Sequence, residues 1–250
     1  MANLKARLHD TEDRMLFYVC TIPSAVVSQA VAAAGADAVI IDMEHGALDH
    51  ASVHAMIAAT AGTKCAPLVR VAENDTTQVK RMLDLGAEGI VFPLVRTIDD
   101  ARRAVASLRY PPNGTRGFGP FIAQSRWGSS MPTFAADTED KLVCCLLIET
   151  AEAIENIDNI LAVEGVDCAV TALFDLTVDL GVMGQFTHPK LLDAIGKIEE
   201  AARKNNVPLI SNITSSEHAK ELFAKGYRGI GGFDVLALRA NATDLCKLLD

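Results

Sequence analysis

The sequence predicts a (β/α)₈ TIM barrel, and three observations lead to this fold class. Short runs of aliphatic and β-branched residues alternate with segments whose apolar residues recur at helical spacing. Eight such strand–helix repeats fit into 250 residues, a usual length for this barrel. Half of the residues are apolar, which is enough for a large buried core. A doubly wound open sheet shows the same alternation, so strand count alone leaves it as the alternative.

The predicted strands are short apolar runs rich in Val, Ile, Leu and Cys, most of them bounded by Gly, Pro or Asp. In chain order they are Met15–Thr21, Ala36–Asp42, Cys65–Val71, Gly89–Leu94, Leu142–Ile148, Asp167–Thr171, Pro208–Ile213 and Arg228–Gly232.

The predicted helices lie between these strands and several carry start and stop signals. Asp75 precedes one helix, and Gly35, Gly86 and Gly226 follow others. In chain order the helices are Pro23–Ala34, Ala51–Ala61, Thr76–Leu85, Ile98–Leu108, Ala151–Leu161, Pro189–Lys204 and Ser216–Lys225, with a final helix at Leu238–Asp250. Without a linker or a repeat, residues 1–250 are predicted to form a single barrel domain.

One connection is longer than the others. Residues 109–141 separate the fourth and fifth strands, and their first part contains Pro111, Pro112, Gly114, Gly117 and Gly119. Because Pro and Gly interrupt regular structure, this segment is predicted to be a loop or lid rather than a helix.

Composition excludes several classes of partner. The net charge is −9 and no basic block is present, which disfavours nucleic acid and acidic membranes. The apolar runs are under ten residues, too short to span a bilayer. The six cysteines include no C-x-x-C pair, which predicts a reducing, cytoplasmic location without a zinc knuckle.

Ionisable residues follow the ends of several predicted strands. Barrel enzymes build their active sites at the C-terminal ends of the strands, so these residues are candidates for one site. They are Asp42, Glu44 and His45 after the second strand, Arg70 at the end of the third, Glu149 after the fifth and Asp175 after the sixth.

Each of these residues also has a simpler interpretation. Glu149 and Asp175 follow neighbouring strands and suit a hard divalent cation, but each could instead cap a helix. His45 is either a general base or a structural histidine tied to a carboxylate. Arg70 either binds an anionic substrate or forms a surface salt bridge, and its place at the end of an apolar strand favours the substrate.

The ordered set of motifs resembles the HpcH/HpaI family of metal-dependent class II pyruvate aldolases, which act on 4-hydroxy-2-oxo acids. The matching stretches recur in family order and cover most of the chain. They are Ile41–His45, Val69–Val71, Leu83–Ala87, Pro93–Val95, Arg109–Pro112, Arg116–Gly117, Ile148–Thr150 and Asp175–Leu176.

The resemblance implies a barrel enzyme that reversibly cleaves a 4-hydroxy-2-oxo acid into pyruvate, or a related 2-oxo acid, and an aldehyde. It implies a divalent metal, Mg²⁺ or Mn²⁺ with Co²⁺ also suitable, held by Glu149 and Asp175, on which an enolate forms. It further implies a cytoplasmic homohexamer in which the last helix is exchanged between subunits. Its partners would be a small-molecule 2-oxo acid and an aldehyde, without nucleic acid or membrane. Arg116, Gln124 and Arg126 would either contact an acidic aldehyde or hold the loop at residues 109–141 in place.

The same resemblance assigns catalytic roles at the second strand. Arg70 would stabilise negative charge on the keto oxygen, and His45 would move the proton. Asp84 of a neighbouring subunit would orient His45, while Asp42 and Glu44 would position His45 and metal-bound waters.

This chain also departs from the family pattern. Many members have Gly-Pro where this chain has Ala172 and Leu173, followed here by Phe174, and these three residues are predicted to bind substrate. Asp179 stands where Ser is common, and Leu147 where Gln is common. These changes motivate an alternative, a 2-oxo-acid decarboxylase or an enolate transferase on the same scaffold. A non-catalytic assembly protein with this fold is the alternative of another class.

Overall fold

The structure, a computed structural model, describes residues 3–10 and 12–249. Within these residues eight parallel strands follow one another around a closed barrel, with the last strand hydrogen-bonded to the first. They are β1 (Met15–Cys20), β2 (Ala38–Asp42), β3 (Ala66–Arg70), β4 (Gly89–Phe92), β5 (Val143–Ile148), β6 (Cys168–Thr171), β7 (Leu209–Asn212) and β8 (Gly229–Phe233). The predicted TIM barrel is confirmed, and closure excludes the doubly wound open sheet.

The helices cover the outside of the barrel and the connections between strands. They are α1 (Leu4–Leu8), α2 (Ala25–Ala33), α3 (His50–Ala58), α4 (Thr76–Asp84), α5 (Ile98–Leu108), α6 (Ala123–Trp127), α7 (Phe134–Thr138), α8 (Ala151–Glu155), α9 (Ile157–Leu161), α10 (Leu173–Asp179), α11 (Pro189–Asn205), α12 (Ser216–Ala224) and α13 (Asp234–Cys246). Short 3₁₀ turns lie at Glu139–Lys141 and Lys247–Leu249. None of the described helices is long and apolar enough to cross a membrane.

The sequence signals at the helix ends act as expected. The Asp75 side chain accepts hydrogen bonds from the backbone N–H groups of Thr77 and Gln78 and so begins α4. Thr97 and Asp100 form a reciprocal capping box at the start of α5. Gly86, after α4, has a φ of +104°, a conformation that suits glycine.

Two apolar layers hold the barrel together. The larger layer lies between the strands and the surrounding helices and includes Ile41, Met56 and Phe92. The smaller layer fills the barrel interior, where Leu4 and Leu8 of α1 join it. The inward side chains of alternate strand positions therefore pack the interior, and ligands can be held only at the ends of the strands.

A buried carboxylate ties together the N-terminal end of the barrel. Asp37 accepts hydrogen bonds from the Leu16 backbone N–H at 2.8 Å and from Lys64 at 2.9 Å, and it pairs with Arg7 at 2.9 Å. Burial raises the pKa of Asp37, but these hydrogen bonds outweigh burial, and the net result is a lowered pKa.

Several helices differ from the prediction. The helix predicted at Ala151–Leu161 is two helices, because Asn156 leaves the helical conformation and its side chain donates to the backbone oxygens of Arg96 and Glu152. Helices α1 and α10 were not predicted, and both are short. The final helix begins at Asp234, four residues before the predicted start, and Asp250 lies outside the described residues.

The prediction of a loop or lid at residues 109–141 is wrong in two respects. It contains the two short helices α6 and α7, which end the long unstructured stretch at residue 122. It also joins the end of α5 to the start of β5, and such αβ connections lie at the N-terminal end of a barrel. The segment therefore cannot form a lid over Glu149 and Asp175 of its own chain.

Candidate active site

The predicted site residues of strands β2, β3, β5 and β6 gather at the C-terminal mouth of the barrel. Asp42 and Arg70 are register partners at the ends of β2 and β3. Glu149 follows β5, and Asp175 lies in the first turn of α10, four residues beyond the end of β6. The negative charges of Glu44 and Asp175 contribute to a raised pKa of Glu149.

Arg70 is held by two carboxylates. Its Nε donates to Asp42 Oδ1 at 2.7 Å, and its terminal nitrogen also binds Asp42 Oδ2, which makes the pair bidentate. Another terminal nitrogen lies 3.2 Å from Glu44 Oε2. Asp42 is fully buried, so the guanidinium of Arg70 has a defined direction toward the mouth.

The tight turn after β2 presents His45 to solvent. The Asp42 carboxylate accepts hydrogen bonds from the backbone N–H groups of Glu44 at 3.1 Å and His45 at 3.3 Å. The His45 side chain is 64% exposed, and its Nε2 lies 3.8 Å from Glu44 Oε2. Gly46 closes the turn because a Cβ there would lie 2.3 Å from the Asp42 backbone oxygen. An exposed imidazole at the mouth can exchange protons with a bound molecule.

Glu149 is buried, and its side chain is held by the backbone of a residue with an unusual conformation. It is 6% exposed, and its Oε1 accepts a hydrogen bond from the backbone N–H of Leu94. Leu94 follows β4 with a φ of +53°, a conformation that non-glycine residues rarely adopt. Such strain is typical of functional sites, where surrounding contacts hold an unfavourable backbone. Burial, together with the negative charges of Glu44 and Asp175, raises the pKa of Glu149.

Neither predicted metal carboxylate caps a helix. Thr150, not Glu149, caps α8 by accepting a hydrogen bond from the Ala153 backbone N–H. Asp175 lies inside α10, which begins without a side-chain cap. The capping interpretation of both residues is therefore wrong.

Asp179 connects the two elements that carry these carboxylates. Its Oδ2 accepts a hydrogen bond from the backbone N–H of Ala151, the first residue of α8. Asp179 lies one turn after Asp175 on α10, and Ala151 lies two residues after Glu149. This bond therefore links the α10 turn to the loop after β5, and it gives the Asp179 carboxylate a structural partner.

The mouth carries more negative than positive charge. Four carboxylates, those of Asp42, Glu44, Glu149 and Asp175, lie around Arg70 and His45. Burial raises the pKa of Glu44, and the carboxylates of Asp42 and Asp175 raise it further against the opposing charges of Arg70 and His45. Glu44 Oε2 is also buried without a hydrogen-bond donor, apart from its ion pair with Arg70.

This donor set fits a hard divalent cation. An excess of carboxylate oxygens in a partly buried mouth is the environment that Mg²⁺ and Mn²⁺ prefer. Within the described residues, no three Asp, Glu, His or Cys side chains are grouped closely enough to hold a metal by themselves. A cation between Glu149 and Asp175 would therefore complete its coordination with water or substrate oxygens.

The predicted substrate-binding residues line a cavity of about 140 Å³ beside these groups. Ala172, Leu173 and Phe174 form one wall, and His45 and Arg70 lie at the rim. Ala172 has a φ of −83°, which any residue adopts, so replacing glycine there imposes no backbone strain. Phe174 is 54% exposed and packs edge-to-face on Phe186, with ring centroids 4.9 Å apart.

Asp84 is not part of the mouth of its own chain. It ends α4, and barrel helices return the chain to the N-terminal end of the strands. There it pairs with Arg116 at 3.1 Å. The predicted contact between Asp84 and His45 therefore requires two copies of the chain, as the prediction itself states.

The three polar residues predicted to bind an aldehyde or to hold the loop contact their own chain. Arg116 is 1% exposed and binds Asp84, and Arg126 binds Glu88 at 2.7 Å. Gln124 donates to the Phe121 backbone oxygen. Within the described chain, these contacts hold the segment in place.

Sequence reasoning missed two contributors to the site. Leu94 contributes a backbone N–H, and a side-chain pattern carries no signal for such a donor. Asn212 ends β7 and lines the cavity, and its position as a polar residue at a strand end was an available signal.

Known proteins share sequence with most of this chain. The model of the HpcH/HpaI aldolase/citrate lyase family matches residues 14–240. A pyruvate aldolase of Rhizobium etli is 36% identical over 184 residues, which cover 72% of each chain. A 4-hydroxy-2-oxo-heptane-1,7-dioate aldolase of Escherichia coli is 35% identical over 86% of this chain and 80% of its own length.

A solved structure shows the same fold over the whole chain. The HpcH/HpaI aldolase/citrate lyase family protein of Burkholderia cenocepacia superimposes with a TM-score of 0.92 at 28% identity, covering 100% of both chains.

Proposed function

The chain belongs to the HpcH/HpaI aldolase/citrate lyase family, and from this premise we propose that its acidic mouth catalyses reversible aldol cleavage with a divalent metal. The chain is a carbon–carbon lyase of the aldolase type. Its substrate is a 4-hydroxy-2-oxo acid, and the products are pyruvate, or a related 2-oxo acid, and an aldehyde. The observation that carries the proposal is the unbalanced carboxylate cluster at the C-terminal mouth of the barrel.

Glu149 and Asp175 are the proposed metal ligands. Asp175 lines the cavity at the mouth, Glu149 lies at the end of the neighbouring strand β5, and neither carboxylate forms an ion pair with a cation among the described residues. Mg²⁺ and Mn²⁺ are the first candidates and Co²⁺ a further one. When bound, such an ion acts as a Lewis acid that stabilises negative charge on the keto oxygen of the substrate.

Arg70 and its carboxylate partners direct the substrate. The guanidinium lines the cavity beside Asp175, so it faces the oxygen on which charge develops during cleavage. Asp42 holds the guanidinium by two bonds, and Glu44 holds it from the other side. A fixed positive charge needs no reorganisation during the reaction, which is how such groups lower a barrier.

His45 is the proposed proton carrier. In the cleavage direction the C4 hydroxyl loses its proton, the C3–C4 bond breaks and its electron pair forms the enolate, and C3 then takes up a proton. An exposed imidazole beside the cavity can serve both transfers near neutral pH. Asp84 of a second copy is proposed to orient this imidazole.

A homohexamer with an exchanged final helix is part of the proposal. Much of α13 is exposed, including Leu236 at 53% and Leu238 at 62%, and Leu248 beyond it is 79% exposed. Apolar side chains of this size are normally covered, and a second copy would cover them. Light scattering after size exclusion tests the assembly, and cytoplasmic location remains a prediction.

The test of the proposed function uses metal-depleted protein. Release of pyruvate from a 4-hydroxy-2-oxo acid is followed after EDTA treatment and after adding back Mg²⁺, Mn²⁺ or Co²⁺. We expect activity only with metal, and none in the Glu149→Ala and Asp175→Ala variants at any metal concentration. Asp158→Ala, a change at an exposed position of α9, is the control and should match the unaltered enzyme. Turnover that persists in EDTA would refute the proposal.

The alternatives are separated by substrate. A decarboxylase would release pyruvate from oxaloacetate and form no aldol product from pyruvate and aldehydes. An assembly protein would bind no divalent metal, which elemental analysis of the purified chain would reveal. The family membership and the preserved mouth residues favour the aldolase.

A further inference from the structure

A second cavity, of about 260 Å³, lies at the N-terminal end of the barrel. It opens where β7 and β8 begin, because Leu209 and Arg228 both line it. Asn212 and Phe233, at the other ends of the same strands, line the cavity of the mouth, so the two cavities lie at opposite ends of the barrel. Pockets for drug-sized ligands measure about 300–1,000 Å³, so this cavity suits a smaller molecule.

The lining of this cavity is positively charged, although the whole chain has a net charge of −9. Its permanent cations are Arg203, Lys225 and Arg228. The imidazole of His9 adds a positive charge when it is protonated. Glu199 is the one carboxylate among the described lining residues. Three cations and one carboxylate leave a local positive excess that attracts small anions.

The start of β8 differs in charge from the starts of β2, β4 and β6. Each of these four strands follows a glycine, one further residue and a charged residue. The charged residues before β2, β4 and β6 are Asp37, Glu88 and Asp167, and each pairs with a cation of the chain. Before β8 the charged residue is Arg228. The charge at this end of the barrel therefore changes sign at the place where the cavity lies.

Glu199 is held in the wall of the cavity by two donors. Its Oε1 accepts a hydrogen bond from Lys225 Nζ at 2.9 Å and another from the Tyr227 hydroxyl at 3.2 Å. Because Tyr227 is 3% exposed, the carboxylate is tied to the body of the barrel. Glu199 Oε2 accepts no hydrogen bond from a described residue, so it can accept one from a hydroxyl group of a ligand.

Arg203 lies beside Glu199 on α11 without a partner among the described residues. It follows Glu199 by one helical turn, so the two side chains share a face of the helix. The Arg203 side chain is exposed and lines the cavity. The adjacent Lys204 does not line it and instead pairs with Asp158 of α9 at 3.2 Å. A cation in the last turn also suits the helix dipole, but that role predicts stability and no ligand.

We propose that this cavity binds a phosphate monoester of a small hydroxylated molecule. The planar guanidinium of Arg203 can bind two phosphate oxygens at once, and Lys225 and Arg228 add positive charge from other walls. The remaining volume takes the organic part, whose hydroxyl groups can donate to Glu199. Binding here is non-covalent and does not depend on the proposed aldol reaction at the mouth.

The test titrates glycerol 3-phosphate into the full chain in a calorimeter. Metal-depleted protein is used, so that phosphate cannot bind through a metal at the mouth, and about pH 7.5 keeps the phosphate a dianion. We expect one molecule per chain with a Kd of about 1 mM or below, and weaker binding as salt is added. Inorganic phosphate should bind less tightly because it leaves most of the cavity to water. Succinate should bind less tightly because neither of its carboxylates is a dianion.

The variants Arg203→Gln and Lys204→Gln isolate the cavity from the overall charge. Both remove one positive charge from the same turn of α11, but only Arg203 lines the cavity. Arg203→Gln should weaken the binding of glycerol 3-phosphate at least about tenfold, because it removes a charge-assisted bidentate contact. Lys204→Gln should leave the affinity within about twofold, since an exposed charge acts only through screened attraction. The Tm of each variant without ligand verifies that it folds.

Each contrary outcome overturns a stated part of this inference. Equal affinities of the two variants for glycerol 3-phosphate would overturn the site, because the cavity would then not determine binding. Absence of saturable binding at ten times the expected Kd would overturn it as well. Succinate binding as tightly as glycerol 3-phosphate would overturn the phosphate class, and inorganic phosphate doing so would overturn the organic part. The proposed aldolase function is tested separately at the mouth and stands or falls independently.

Discussion

The change Asp84→Asn separates a structural from a catalytic role of this residue. In the folded chain Asp84 is the carboxylate that pairs with Arg116 at 3.1 Å. The Arg116 guanidinium is buried between aromatic rings, 4.6 Å from the centroid of Tyr110 and 5.9 Å from that of Phe134. Asparagine keeps the shape of the side chain and one acceptor oxygen, but it removes the charge that compensates Arg116.

The expected loss of stability follows from the burial of the pair. Breaking a buried ion pair by removing one partner costs about 3–5 kcal/mol. Arg116 is 1% exposed but Asp84 is 21% exposed, so water reaches one side of the pair. We therefore expect a loss of about 2–3 kcal/mol in the free energy of unfolding. For a chain of this length that lowers Tm by about 4–12 °C.

The assay is thermal unfolding at one fixed protein concentration, because assembly also contributes to Tm. The double variant Asp84→Asn/Arg116→Met removes both charges and keeps an apolar side chain against Tyr110. It should recover part of the lost stability, with a coupling energy of at least about 1 kcal/mol. A single Asp84→Asn variant that melts within 1 °C of the unaltered protein would refute the structural role. If that variant also shows an altered pH profile of pyruvate release from a 4-hydroxy-2-oxo acid, Asp84 acts on His45 of a second copy.

Four further predictions address other parts of the molecule. Asp37→Asn should lower the free energy of unfolding by about 1–3 kcal/mol at pH 7. Because the folded pKa of Asp37 is below the ordinary 3.8, this loss should persist above that pH and disappear as the pH falls through the lowered pKa. An equal loss at pH 2 and pH 7 would contradict the prediction. Glu149→Gln should abolish Mn²⁺ binding in calorimetry without lowering Tm of the metal-free protein. Glutamine keeps the oxygen that accepts the hydrogen bond from the Leu94 backbone N–H at this buried site. A large drop in Tm would mean that the charge itself stabilises the fold. Asp179→Ala should weaken Mn²⁺ affinity about tenfold by releasing the Ala151 backbone N–H, and unchanged affinity would show that the link does not position the ligands. A thiol reagent should label no cysteine other than Cys246 in the native protein and all six cysteines in denaturant. Labelling of any other native thiol would show that the buried cysteines are accessible.

The strands and the residues at the barrel mouth show which features a local sequence pattern can predict. The strand–helix alternation predicted the closed barrel, and each predicted strand agrees with its observed counterpart within two residues at either end. Asp42, Arg70 and Glu149 were recognisable because each ends an apolar run, and parallel strands bring such ends to one face. Helix ends were predictable where a cap stands beside them, as at Asp75.

Other features depend on contacts between distant segments. The Leu94 backbone N–H reaches Glu149 across 55 positions, and Asp179 reaches Ala151 across 28. Asp84 lies at the opposite end of the barrel from the mouth of its own chain, and Arg116 holds a segment that resembles a lid in sequence.

The sequence alone determined the barrel and the residues at its strand ends, because periodicity and strand order are local properties. Only the tertiary structure decided which carboxylates have hydrogen-bond or ion-pair partners. It also decided that the inward side chains of Leu147 and Val170 line the cavity beside these groups. The reason is physical, since burial, hydrogen bonding and unbalanced charge arise where separate strands and helices pack together.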